Sequence, residues 1–146
     1  MWTYRGPIPR VKFDKSSVRR QIQEAIEQQN AQHLVPKAKN YAAVDSIIYD
    51  PNDTVLTCIQ VTMNGYHPIA VSGLRDVQSW LERDTMSANL RPKKERPWRF
   101  FFVVPSTLES NFKPQTFKGD TKNSEWAGKV DQYVLGLEEN RIFDLQ

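Results

Sequence analysis

What this chain lacks narrows it first. It has one cysteine, Cys58, so no internal disulfide forms and no cysteine cluster exists to hold zinc. No run of 18 apolar residues occurs, and no basic leader precedes an apolar segment, so neither a membrane-spanning helix nor a secretory leader is read from it. The chain is therefore expected to be intracellular, with no membrane partner. Its six glycines are scattered. Neither G-x-x-x-x-G-K-[ST] nor G-x-G-x-x-G is present, which leaves no support for an NTPase or dinucleotide fold within these residues. No G-x-S-x-G elbow offers a serine nucleophile. Two histidines, His33 and His67, are all the imidazole available for proton or metal chemistry. Internal repeats and low-complexity tracts are missing as well.

What is present reads as one domain over residues 1–146. At 39% hydrophobic and 11% aromatic the chain can bury a sizeable core, and a net charge of +3 suits a polyanionic partner without requiring one. Trp2 and Tyr4 lie so close to Met1 that the start reads as a cut in a longer protein.

Residues 2–13, with two prolines, read as an extended or irregular lead-in. The spacing of Val18, Ile22, Ala25 and Ile26 predicts a helix over residues 17–32, with Ser17 as N-cap and Pro36 as terminator. Strands are predicted at 42–49 and 55–62, around a Pro-Asn-Asp turn, and at 67–71 after the turn at Asn64-Gly65. Ser72 then caps a second helix whose apolar face is Leu74, Val77 and Leu81, with Trp80 at its border. The run WRFFFVVP, residues 98–105, reads as a strand covered on both faces and stopped by Pro105. Beyond it come a helical turn within 106–112, a loop, a short helix at 126–130 and a last strand at 132–137. The predicted fold is α/β: a mixed sheet flanked by helices, with 67–71 crossing through the second helix to pair in parallel with 98–105.

The chemistry concentrates in the hairpin of residues 41–62. Alternation places Gln60 and Thr62 on one face. Depending on the register, Asp45 opposes Ile59 or Gln60. In the second register the Asp45 and Gln60 Cβ atoms lie about 4.5–5.5 Å apart, close enough for both side chains to reach one cation. A carboxylate, an amide oxygen, the Val61 carbonyl and waters suit Mg²⁺, which would polarise a phosphate and activate water. The plainer reading makes Asp45 a strand-end surface residue and Gln60 a structural amide.

Other residues carry the same two-sided reading. His67 is a metal ligand or proton shuttle near that site, or a histidine at a strand edge. His33 reads as a surface residue. Arg91, Lys93, Lys94, Arg96 and Arg99 form the densest basic cluster, suited to a phosphate backbone with Trp98 as a stacking face, or else a solvated loop with Trp98 anchored in the core. Cys58, in an apolar strand, reads as an inert buried thiol.

The element order and these residues together resemble the restriction-endonuclease-like PD-(D/E)xK superfamily, whose core runs αβββαβ. The D…QVT…H pattern, the aromatic strand ending in Val-Pro and the late W…QYVLGL are most similar to the C-terminal nuclease-like domains of Crinkler and RHS-type proteins. The likeness covers roughly residues 17–137. It implies a Mg²⁺- or Mn²⁺-dependent nuclease of effector or toxin type acting on DNA, with a nuclear location to match and an NTPase module in the full-length protein. It assigns Asp45, Gln60, Thr62 and His67 to catalysis, Asp45 and Gln60 to the metal, and the basic loop Arg91, Lys93, Lys94 and Arg96 to the nucleic acid. The chain departs from the family in three places. Thr62 stands where the family has lysine, which removes a positive charge from the site. Gln60 replaces an acid. The first-helix glutamates, Glu24 and Glu27, lie opposite the helix's apolar stripe and should face solvent; Lys37, Lys39 or His67 would have to supply the missing cation. Two functions follow: a working metal-dependent nuclease, or a degraded copy of that fold serving as a nucleic-acid or protein-binding module.

Overall fold

The computed structural model describes residues 10–13, 24, 28, 31–36, 44–51, 55–82, 88–119 and 125–143. The main sheet has six strands: β1 (Arg10–Phe13), β2 (Gln32–Pro36), β3 (Ser46–Tyr49), β4 (Thr57–Val61), β6 (Trp98–Pro105) and β8 (Val130–Leu137), side by side in the order β1-β2-β3-β4-β6-β8. β3 runs antiparallel to both of its neighbours; the pairs β1–β2, β4–β6 and β6–β8 are parallel. Two short strands, β5 (Ile69–Ala70) and β7 (Phe117–Lys118), form a separate parallel pair. The helices are α1 (Val71–Glu82), α2 (Ser106–Glu109) and α3 (Glu139–Phe143). Glu24 and Gln28 are also helical, and both are exposed. The protein is thus a mixed α/β fold, as expected from the sequence at that level.

One face of the sheet carries the core. Leu34, Ile47, Cys58 and Phe100 form one cross-strand row on it, and Trp98, Phe102 and Val104 extend it along β6. These large side chains pack against Val71, Leu74 and Val77 of α1, spaced at three-residue intervals so that they share one helical face. Phe100 and Phe102 lie 4.9 Å apart and Phe102 and Phe112 5.1 Å, both tilted, the arrangement aromatic quadrupoles favour. Trp98 stacks obliquely on Trp126 at 5.9 Å and donates its indole N–H to the Leu90 carbonyl at 2.6 Å. The opposite face is less covered. Arg99 and Phe101 are half-buried there, and Phe101 stacks on the exposed ring of Tyr133. Val103 and Pro105 are buried on that face too, so β6 is covered on both faces toward its carboxyl end and on one face at Arg99 and Phe101.

Several elements differ from the sequence expectation. Gln32–Pro36 is a strand, not the end of a helix, and His33 is half-buried within it. The predicted third strand shrinks to Ile69–Ala70 and leaves the main sheet for β7; the parallel partner of β6 is β4, so the crossover through α1 joins those two. Ser72 lies inside the first turn of α1, which begins at Val71. Residues 125–129 form turns, and β8 begins at Val130, two residues early. The side chains of Trp80 and Leu81, most of the predicted first helix (Glu27 included), and Lys37, Lys39 and Thr54 lie outside the described residues.

Candidate metal and nucleic-acid site

Ser46 pairs with Ile59, and the Asp45 N–H donates to the Ile59 carbonyl at 2.8 Å. The ladder ends at that pair, the Asp45 N–H to the Ile59 carbonyl being irregular in the manner of a bulge, and it is the Asp45 carboxyl that reaches the Gln60 side chain. The next strand continues the row, since Gln60 pairs with Phe102 and Phe102 with Val134. The row lies at the carboxyl end of β4 and crosses β6 near its middle, three residues before that strand ends.

Asp45 Oδ2 accepts two hydrogen bonds, from the Val61 N–H at 2.6 Å and from the Gln60 side-chain NH₂ at 2.9 Å. Although the residue as a whole is exposed, this carboxyl is turned into the strand end. Burial raises its pKa above the ordinary carboxylate value, against the smaller lowering effects of the Val61 N–H and the His67 charge. The folded chain thus holds this proton more tightly than an ordinary carboxyl does, and a carboxyl perturbed by desolvation marks a candidate functional group.

Gln60 is buried and hands its nitrogen to Asp45 and, at 3.3 Å, to the Val61 carbonyl. As a metal ligand it must turn its amide over so that the oxygen faces Asp45. Thr62 shares the face but is buried, and its hydroxyl accepts the Asn64 N–H at 3.1 Å, closing a turn. Its hydroxyl therefore serves the turn. His67 lies half-buried, its ring 6.4 Å from Phe102 and so over the same row. Its Nδ1 is buried without a hydrogen-bond partner. Asp45, Gln60, Thr62 and His67 are therefore brought to one end of one face.

The basic cluster is not brought there. Lys93 and Arg96 exchange backbone hydrogen bonds, each 3.1 Å, and make a tight turn that lifts Lys93, Lys94 and Glu95 into solvent beside exposed Arg91. This turn precedes Trp98, whereas the Asp45 row crosses β6 at Phe102. Four residues of strand separate those levels, about 13 Å. The turn thus sits toward the opposite end of the sheet. Trp98 is 1% exposed and offers no stacking face; it is the core anchor.

Sequence reading missed two residues at the site end. Gln115 is buried, accepts the His67 N–H at 2.5 Å through Oε1 and donates to the Lys113 carbonyl at 2.7 Å. Gln132, on β8, holds Gln115 in turn. Both sit in segments with no local motif, so only the folded chain reveals them. Cys58 is buried and inert, its thiol pushed up to about 12 by desolvation.

Among the described residues no group of three His, Cys, Asp or Glu side chains converges. The donor set is one carboxylate, an amide and a carbonyl. That suits Mg²⁺ held through one carboxylate together with waters and substrate phosphate, and not a closed cage. No helix among the described residues is long and apolar enough to cross a membrane. Comparison with protein-family models, curated proteins and solved structures finds no match for this chain.

Proposed function

We propose that the Asp45–Gln60 end of the sheet is a divalent-cation-assisted phosphodiester site of nuclease type, acting on DNA. The carrying observation is the meeting of a partly desolvated carboxyl, a buried amide bonded to it and a nearby imidazole with an unmet Nδ1. The surrounding elements support it. Helical residues at 24 and 28 precede β2, β3, β4, α1 and β6; with the two-residue β5 between β4 and α1 set aside, that order is compatible with the αβββαβ core of the superfamily the sequence resembles.

Asp45, the Gln60 amide once turned over, and the Val61 carbonyl would hold Mg²⁺ or Mn²⁺. The ion, when bound, supplies charge to the phosphate and acidifies a water. A neutral His67 would take the attacking water's proton at Nδ1, which the fold covers here, and so would act as a base and not as the cation the absent lysine would supply. Thr62 shapes the turn that delivers His67. The turn at Lys93–Arg96 binds the phosphate backbone away from the reacting bond. An effector role and a neighbouring NTPase module belong to this proposal through the resemblance alone.

A specific observation favours the second reading, a degraded nuclease fold that binds nucleic acid or protein. Gln60 donates to Asp45 instead of offering its oxygen, and the Thr62 hydroxyl is tied to Asn64. Incubation with plasmid and single-stranded DNA in Mg²⁺ or Mn²⁺ separates the two. Cleavage by the wild-type chain that vanishes in Asp45→Ala supports the nuclease; salt-sensitive binding without cleavage supports the binding module; neither activity sinks both as nucleic-acid functions.

A further inference from the structure

His67 rides on an exposed loop. Thr62 ties one end to the sheet through its N–H to the Val103 carbonyl at 3.0 Å, and Ile69 ties the other to the Thr116 carbonyl at 2.8 Å. Between them Met63, Asn64, Gly65 and Tyr66 are exposed, with Tyr66 at 67%. A loop of that kind places an imidazole loosely unless something fixes it.

Gln115 does so, and each of its polar atoms is committed. Oε1 accepts the His67 N–H at 2.5 Å. Nε2 donates to the Lys113 carbonyl at 2.7 Å and to the Gly65 carbonyl at 3.4 Å. Its backbone N–H donates to Gln132 Oε1 at 2.7 Å, and its carbonyl accepts Gln132 Nε2 at 2.9 Å. Gln132 stands opposite Phe100 in the β6–β8 ladder. A continuous path of buried and half-buried hydrogen bonds thus runs from the sheet to the His67 backbone. The adjacent pairing of Ile69 with Phe117 holds the same two segments in line. An apolar side chain would fill Gln115's space; its amide is needed only by the loop.

We propose that Gln115 is the positioning residue for His67, with Gln132 as its support. The proposal deepens the nuclease reading and rests on it for the use made of His67. Its test follows two readouts in the full chain: amide hydrogen exchange for the loop, and DNA cleavage in Mn²⁺ for the site. Gln115→Met should speed exchange at His67 by roughly tenfold or more while the β6 amides stay protected. It should also lower cleavage to the level of His67→Ala, with no further loss in the double variant, because the two changes remove one function. Wild-type exchange at His67 in Gln115→Met overturns the proposal; so do cleavage losses that multiply in the double variant. Should Gln115→Met fail to fold, Gln132→Met removes the same support one link back and carries the same expectations. A wild-type chain that cleaves nothing ends the nuclease reading, and the exchange result then decides alone whether Gln115 fixes the loop.

Discussion

Replacing Asp45 with asparagine or alanine separates the carboxyl's charge from its hydrogen bonds. Both bonds end on one oxygen, Oδ2, at 2.6 and 2.9 Å. Asparagine keeps an acceptor oxygen there and drops the charge; alanine removes both acceptances. At about 0.5–1.5 kcal/mol per bond, alanine costs roughly 1–3 kcal/mol. Asparagine should cost nothing at pH 7 and should exceed the wild type, because the folded chain raises the Asp45 pKa, chiefly by burial. A folded-state value above the unfolded one means that the native chain holds this proton more tightly. The stability so gained is full below the unfolded value near 4 and is lost as pH rises through the folded value. Urea unfolding at pH 3.5, 5 and 7 reads this directly: the asparagine variant should gain on the wild type with rising pH and stay above alanine throughout. An asparagine variant that loses ground between pH 3.5 and 7 would show that the carboxylate is stabilised by its surroundings, and would remove the case for a charge kept for a ligand.

Three further expectations rest on separate parts of the fold. Trp98→Phe leaves the Leu90 carbonyl without the indole N–H that reaches it at 2.6 Å and thins the packing on Trp126; a cost of about 2–4 kcal/mol should appear in calorimetry as a Tm lower by roughly 5–12 °C. Gln60→Glu sets two carboxyls opposite each other, so the metal-free variant should lose stability from pH 5 to 7; Mg²⁺ at about a hundred times its Kd should restore ~2.7 kcal/mol, seen as a larger ion-dependent Tm rise than in the wild type. Replacing Lys93, Lys94 and Arg96 together with alanine should flatten the log K against log salt slope for duplex DNA by roughly 2–3, with the single-turnover cleavage rate at saturating DNA unchanged, since the turn lies at the other end of the sheet.

The hairpin was legible because its signals are local. Alternating β-branched residues, a proline turn and the 3.3 Å strand repeat leave two registers; the ladder pairs Ser46 with Ile59, the Asp45 N–H bonds the Ile59 carbonyl, and its carboxyl meets the Gln60 side chain. Strand β6 was legible for the same reason, six apolar or aromatic residues broken only by Arg99 and closed by proline. Strand β2 was not. Gln32–Pro36 has little strand propensity of its own and acquires its form from β1 on one side and β3 on the other, pairings remote in sequence. His67–Val71 has the propensity yet yields just two paired residues, because β6 takes β4 as its parallel neighbour. At the site, residue types gave Asp45, Gln60 and His67. The Gln60 amide's orientation, the capture of the Thr62 hydroxyl and the Gln132–Gln115–His67 path depend on groups up to 48 residues apart meeting after folding, about which spacing carries no information.

Mn²⁺ line broadening in the NMR spectrum of the ¹⁵N-labelled chain, with a short uncleavable oligonucleotide bound, locates the cation without relying on turnover. The amides of Asp45, Gln60, Val61 and His67 should broaden first, those of Lys93–Arg96 should not, and the effect should disappear in Asp45→Asn. Broadening that centres elsewhere, or that persists in Asp45→Asn, would contradict a cation site at this end of the sheet.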